Sequence, residues 1–415
     1  MSGRLIWLLG TQLRKVWVRV AGFAVLAVAS LGAAHLIGPH VSISLVEYTG
    51  ADAVEELLGV LASSMLAVTT FSLSIAVSAF SAAAGSATPR ATALLQQDPT
   101  TQNVLATFLG AFVFGLLGKI ALAAGLYDRN SQLVLFLVTL LVIGWVIFAL
   151  IRWISLLMNF GRMGDTLKRV EDAAATAIAR RRECPFLGAQ SFDGDLPSDG
   201  QIISARAAGY VQHIDMAGLQ QLAEEAEIQL YLQCMPGSFV FPGKSLLVVG
   251  AGQLNEEQAE CVHTAVVLGD MRTFTDDPRF GLIVLAEIAS RALSPAVNDP
   301  GTAIDVIGRC VRLLSDWQEK PDISPLYANI HVPAISAIDL LDDAFRPIAR
   351  DGAGVMEVEV RLLKALAALK AQNSPVFAAA AEQLGQYLVE CSERAATPAS
   401  DLNRIKALQA QLLNS

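Results

Sequence analysis

Four long apolar runs fill the first 160 positions: residues 16–38, 57–84, 104–126 and 133–157. Each reaches the roughly 20 residues that a helix needs to cross a bilayer. The second contains no charged side chain along its whole length. The pattern predicts an α-helical membrane domain of four transmembrane helices over residues 1–160. Beyond it, apolar positions recur at strand or helix spacing between polar ones, as in elements with one buried face. Residues 161–200 read as a helical extension and a linker, punctuated by Pro185, Gly188, Gly194, Pro197 and Gly200. Residues 201–275 read as a small α+β subdomain and residues 276–415 as a helical subdomain. The expected whole is a cytoplasmic α+β domain whose small β-region is followed by a helical bundle.

Within that domain, residues 201–214 alternate as one or two strands. Residues 215–227 read as a helix capped by Asp215, and 228–235 as a strand. Two Pro-Gly turns in 236–249 give a half-barrel cadence. From position 278 onward only helices are expected: 278–293, 300–317, 334–350, 355–372, 376–395 and 402–413. The fourth apolar run has no evident break at its polar end. Good helix formers continue to Arg182, which predicts one long helix leaving the membrane.

Charge fixes an orientation. Arg4, Arg14, Lys15 and Arg19 precede or open the first run, and Glu47, Asp52, Glu55 and Glu56 follow it. Arg152, Arg162, Lys168, Arg169 and the triplet Arg180, Arg181 and Arg182 follow the fourth. Positive residues stay inside, so both the N-terminus and the C-terminal domain are expected in the cytoplasm. Ala27-Val28-Ala29 has a small-x-small look, but the apolar run continues past it. It exceeds a signal-peptide core of about 7–15 residues, and an anchor is expected instead.

The net charge is −9, and after position 160 there are 33 Asp and Glu against 22 Lys and Arg. Such an acidic domain argues against nucleic acid as a partner, since phosphate binding needs a basic face. The five cysteines form no C-x-x-C pair, and His213, His263 and His331 are scattered, so neither a metal nor a disulfide framework is expected. Two nucleotide motifs miss narrowly. Five residues separate Gly237 from Gly243-Lys244-Ser245, where a P-loop needs four. After Gly250-Ala251-Gly252 the third glycine position holds Asn255, which reads as a helix N-cap. No cofactor and no catalytic residue is assigned.

Two groups of residues stand out. At 100° per residue, Gly59, Ser63, Ala67, Thr70, Ser74, Ser78, Ser81 and Gly85 share one face of the second run. Leu61, Met65, Leu66, Phe71, Leu73 and Ile75 lie away from it. The third run has a narrower stripe of Ala111, Gly115, Gly118 and Gly125. Small-residue stripes commonly pack helices closely; the other reading is a polar lining between assembled copies. Lys119 sits late in the third run, where it snorkels outward toward Asp128 or the acidic segment, or else belongs to an ion path. The second group is Arg272, Asp276, Asp277, Arg291, Ser294, Asn298, Asp299 and Thr302. Asp277-Pro278 and Asp299-Pro300 look like helix starts, as does Asp98-Pro99. The functional reading is a ligand or subunit-contact site made by two helix N-termini and paired Arg and Asp groups.

The string Arg291-Ala292-Leu293-Ser294-Pro295-Ala296-Val297-Asn298-Asp299-Pro300-Gly301-Thr302-Ala303 resembles the signature of a bacterial family of predicted membrane proteins, the domain of unknown function 2254 family. Met271-Arg272-Thr273-Phe274-Thr275-Asp276-Asp277-Pro278, Gly209-Tyr210-Val211-Gln212-His213-Ile214-Asp215 and Thr88-Pro89-Arg90 also resemble it. The resemblance implies a bacterial inner-membrane setting and leaves the chemistry open. The leading expectation is a homo-oligomeric channel-like or transporter-like protein passing an ion or small solute, with a cytoplasmic regulatory domain. The alternative is a membrane-anchored sensor or scaffold that binds a ligand or protein partner. The lipid bilayer and self-association are the expected partners.

Overall fold

A computed structural model describes residues 16–37, 51–96, 98–127, 129–158, 162–193, 196–250, 252–317, 324–395 and 397–413. Arg4, Arg14, Lys15, Glu47, Asp128 and Gly194 lie outside the described residues. The chain divides into two compact units, Leu5–Thr166 and a second formed chiefly by Leu167–Ser415.

The first unit contains α1 (Val16–Ile37), α2 (Ala51–Ser86), α3 (Pro89–Gln96), α4 (Pro99–Ala123) and α5 (Arg129–Leu157). Asp98 starts α4 as the Asp-Pro pair predicts: its Oδ2 accepts from the Thr101 amide at 2.7 Å, with Pro99 at the first helical position. Among the described residues, three helices are long and apolar enough to cross a membrane, over Ala53–Ala82, Thr100–Ala123 and Gln132–Leu157. The expected fourth falls short by that measure. The described apolar run of α1 is Trp17–Ala33, shorter than a full span. Helix α4 is the centre of packing. A Cβ at Gly110 would lie 2.3 Å from Phe23 of α1, and one at Gly115 would lie 3.0 Å from the Leu58 carbonyl of α2. Small residues at these two contacts let the backbones approach. Leu141, Trp145, Phe148, Ile151 and Ile154 of α5 point outward, an apolar surface suited to lipid.

The long helix expected beyond the fourth run is two helices. α5 ends at Leu157, and α6 spans Met163–Glu183. Arg162 lies outside both, and its carbonyl accepts the Thr166 amide at 3.1 Å, as the residue before a helix does.

In the second unit a turn at Pro185–Gly188 leads into β1 (Ala189–Phe192), so part of the expected linker is a strand. Then come β2 (Gln201–Ser204), β3 (Gly209–Ile214), α7 (Met216–Glu225), β4 (Gln229–Leu232), β5 (Phe239–Val240), β6 (Ser245–Gly250), α8 (Glu256–Ala265) and β7 (Val266–Gly269). Asp215 caps α7 through the Gly218 amide, and Asn255 caps α8 in a reciprocal capping box with Gln258. The rest comprises α9 (Phe280–Ala292), α10 (Pro300–Leu314), β8 (Tyr327–Pro333), α11 (Ala337–Asp351), α12 (Met356–Gln372), α13 (Ser374–Arg394) and α14 (Ala399–Leu413).

Strand β8 falls in the stretch expected to be wholly helical. It enters a five-stranded sheet of order β1-β8-β4-β6-β2, parallel to both neighbours. A second sheet runs β5-β3-β7, all antiparallel. The Pro-Gly region is therefore not a half-barrel, because β5 and β6 join different sheets. Both sheets share one apolar core with α7 and α8, including Leu219, Leu230, Leu232, Val249, Val262 and Ile330. Helices α9 to α14 bury a further layer that includes Leu285, Ile307, Phe345, Leu366 and Phe377.

Candidate functional site

In the first unit, the buried face of α2 comprises Val54, Leu58, Leu61, Met65, Ser72 and Ala76. At 100° per residue the hydroxyl stripe lies directly opposite. Ser63, Ala67, Thr70, Ser74, Ser78 and Ser81 are all exposed. The two small-residue stripes thus have different surroundings. Gly115 and Gly118 of α4 form a seam against Leu58, whereas among the described residues the α2 stripe from Ser63 to Ser81 is exposed, with Lys119 of α4 beside Gly59 at one end. Of the apolar residues expected on the far side, Leu61 and Met65 are buried, while Leu66, Phe71 and Leu73 are exposed. The hydroxyls bond back along their own helix: Ser63 Oγ donates to the Gly59 carbonyl at 2.9 Å, and Thr70 Oγ1 to that of Ala67 at 2.9 Å. The stripe therefore presents small groups and partly satisfied hydroxyls.

Lys119 of α4 meets the acidic segment at one end of this stripe. Its Nζ lies 3.6 Å from Glu55 Oε1, both groups about half exposed. Glu55 belongs to the first turns of α2 and not to a preceding loop. Glu55, Glu56, Gly59, Val60, Ser63 and Lys119 line one shallow, open recess.

In the second unit, the eight residues of the polar cluster separate into two groups at opposite ends of α9, about 20 Å apart by the rise of its 13 residues. At the first end, Asp277 is 2% exposed and accepts from Arg272 Nε at 2.7 Å. Its other oxygen accepts the Arg279 and Phe280 amides at 3.1 and 3.2 Å, while the N-cap of α9 is Arg279, two residues later than the Asp-Pro pair predicts. The Pro-Gly turn lies on this pair: a Cβ at Gly237, where φ is +93°, would sit 2.1 Å from Asp277 Oδ2. Asp276 Oδ2 lies 2.7 Å from His213 Nδ1, and its Oδ1 lies 3.8 Å from Arg180 Nη1 of α6. At the far end, the Ser294 hydroxyl donates to the Arg291 carbonyl at 2.7 Å, and the Ser294 carbonyl accepts the Asn298 amide at 2.8 Å. Asn298 holds φ +51°, a region Asn tolerates better than most residues. Asp299 caps α10 by accepting from Thr302 N at 3.0 Å and Thr302 Oγ1 at 2.6 Å. These bonds hold its carboxyl below the ordinary aspartate value. The loop itself is exposed from Pro295 to Asp299.

Two further ion-pair groups escaped the sequence reading. Arg279 Nη1 contacts Asp339 Oδ2 at 2.7 Å, and its Nε contacts Asp343 Oδ2 at 2.6 Å. Glu171 of α6 accepts from Arg309 Nη1 at 2.5 Å and Arg312 Nε at 2.9 Å. Burial pushes the Glu171 carboxyl up, yet the two arginines more than offset this and hold it below the ordinary glutamate value. The three-residue spacing of Arg309 and Arg312 on α10 was the available signal. The basic triplet at the end of α6 is also engaged within this unit. Arg180 donates to the Thr275 carbonyl at 3.3 Å, Arg181 is buried with its guanidinium 6.0 Å from the Phe186 ring centroid, and Arg182 lies 3.9 Å from Asp316.

Among the described residues, no three His, Cys, Asp or Glu side chains come together as a metal site. The His213–Asp276 pair has the geometry of an oriented imidazole, but Ser294 belongs to the opposite end of α9. A small cavity of about 210 Å³ lies beside Cys184, Gly188, Gln190 and Pro325. Its wall includes Phe186, left-handed at φ +52°.

Three helices apolar enough to span a membrane, together with a mixed helical and β-sheet unit, have the make-up of a membrane protein. The model of the family described as "Predicted membrane protein (DUF2254)" matches residues 14–368, and the chain belongs to that family. Uncharacterized proteins of Mycobacterium bovis and Mycobacterium tuberculosis are similar to it, each 36% identical over 118 residues. Those alignments cover 27% of this chain and 22% of each relative, so the chain spans well under a third of their length. No solved structure matches.

Proposed function

We propose that this protein is a multi-pass component of the bacterial inner membrane whose copies associate through α2 into a channel-like assembly for an ion or small solute. The observation that carries the reading is the outward direction of the hydroxyl stripe, from Ser63 to Ser81, on the helix side opposite the packed one. Small and hydroxylated faces between spanning helices favour close contact between copies, or a polar path where copies surround an axis. Lys119, Glu55 and Glu56 stand at one end of that face. In this reading α1, packed on α4 at Gly110, is the fourth span, and the basic flanks keep both termini in the cytoplasm. The second unit acts as the regulatory body.

The competing reading, a membrane-anchored sensor, needs a ligand site in the Arg and Asp cluster. Asp276, Asp277 and Asp299 are each engaged by groups of the same unit, which favours a structural role for them. The test combines association and transport. Cysteines at Ser74 and Ser78 should cross-link between copies in membranes, while cysteines on the buried face, at Leu61 or Met65, should not. Proteoliposomes should pass small ions, and Thr70→Leu should reduce that flux. A protein that stays monomeric in nanodiscs and passes nothing would leave the channel reading without support.

A further inference from the structure

The hydroxyls that α2 carries on its exposed face have a polarity. A hydroxyl has one proton with which to donate and two lone pairs with which to accept. Ser63 Oγ donates to the Gly59 carbonyl at 2.9 Å, and Thr70 Oγ1 donates to the Ala67 carbonyl at 2.9 Å. Both partners are carbonyls, which only accept, so each hydroxyl proton is engaged along the helix. Ser64 and Thr69, beside the stripe, do the same toward the Val60 and Met65 carbonyls at 2.6 Å. What Ser63 and Thr70 leave for a passing solute is lone pairs. Oxygens of that kind replace the water around a cation and offer no donor to an anion.

The charge at one end of the stripe is a separate observation with the same sign. Gly59 leaves room there for Lys119: a Cβ on the glycine would lie 3.5 Å from the lysine Nζ. The ammonium meets Glu55 Oε1 at 3.6 Å. Glu56 lines the same recess and has no ion-pair partner among the described residues. Two carboxylates against one ammonium leave the recess negative. The flanking sequence keeps that sign. Positions 38–56 hold Glu47, Asp52, Glu55 and Glu56 and no Lys or Arg, while Asp128 and Arg129, which follow α4, cancel. Where copies surround an axis, such carboxylates form a ring that concentrates cations. The valence follows from the rest of α2. Divalent ions are held largely by carboxylates, and residues 57–84 contain none. We infer that the species passed along the α2 stripe is a small monovalent cation, selected at the mouth by Glu56 and moderated there by Lys119. The inference rests on the channel reading above and gives its substrate class.

The experiment measures reversal potentials of the full chain in planar bilayers under a gradient of potassium chloride. The wild type should reverse near the potassium equilibrium potential. Glu56→Gln should lower the potassium-to-chloride permeability ratio about fivefold, the effect of one charge at about 4 Å in water. Lys119→Met should raise the ratio by a similar factor. Opposite shifts report charge, whereas a mouth that had lost its shape would move both variants the same way. Thr70→Val keeps the side-chain shape and removes the lone pairs, so it should reduce potassium current without moving the reversal potential. Magnesium should pass less readily than potassium. Reversal near the chloride potential, variants that shift together, or magnesium passing as readily as potassium overturns the inference and leaves a channel in place. No current at all overturns the channel reading and this inference with it.

Discussion

At the scale of single residues, the second unit is pinned by side chains that satisfy helix starts and leave no room for substitution. Gly237 is the sharpest case. Its φ of +93° suits glycine, and any Cβ there collides with the buried Asp277 carboxylate and with Arg272 Nη2 at 2.8 Å. Gly237→Ala should destabilise the unit by about 2–4 kcal/mol, measured by thermal or denaturant unfolding in detergent, because strain and a displaced ion pair add. Asp299→Ala should cost only about 1 kcal/mol, the usual value of a lost cap at an exposed helix start. Residue-scale features were the most legible in the sequence. Asp98, Asp215, Asn255 and Asp299 cap where their neighbours predict, because a cap depends on three or four consecutive residues. The Arg272–Asp277 pairing was hidden, since its tight surroundings come from a turn some 40 residues earlier in the chain.

At the scale of elements, α6 shows how an amphipathic helix is fastened by charge as well as by packing. Gly281 of α9 lets α6 approach so closely that a Cβ would lie 2.3 Å from Ala174 Cβ, and Glu171 joins two arginines of α10. Glu171→Gln should lower stability by about 2–3 kcal/mol at neutral pH. The sign of the pH dependence follows from the depressed carboxyl. Its contribution is complete above the ordinary value of 4.5 and is lost as pH falls through the lower folded-state value. Melting curves of the wild type should therefore fall more steeply below about pH 5 than those of Glu171→Gln; parallel curves would remove Glu171 from the acid response. The periodicity of α2 was legible in the sequence. Its direction was not, because a stripe of small residues looks alike whether it meets a helix of its own chain, as Gly115 does, or faces outward, as Ser74 does. Strand β8 was missed for another reason. Its alternation of Ile330 and Val332 with Asn329 and His331 is short, and its pairing partners are remote in sequence.

At the scale of the molecule, the chain divides into two compact units close to the start of α6, and the stretch between α5 and α6 is where a protease should separate them. Cleavage between Leu157 and Met163 should release an acidic fragment that stays in solution and melts cooperatively, checked by mass spectrometry and calorimetry of the supernatant. Continued insolubility would mean that the second unit needs the first to fold. The order of the larger sheet has a consequence for how that unit is made. β8 stands between β1 and β4, and Gln190 beside it bonds Ala328, 138 residues away. On the ribosome, β1 and the β4–β6–β2 portion stay divided until β8 has left the exit tunnel. Nascent chains that stop short of β8 expose the open side of β4, a template for pairing with other chains. Translation pauses or truncations before residue 327 should thus yield aggregates, whereas chains stopped after Pro333 should have the full set of strands available.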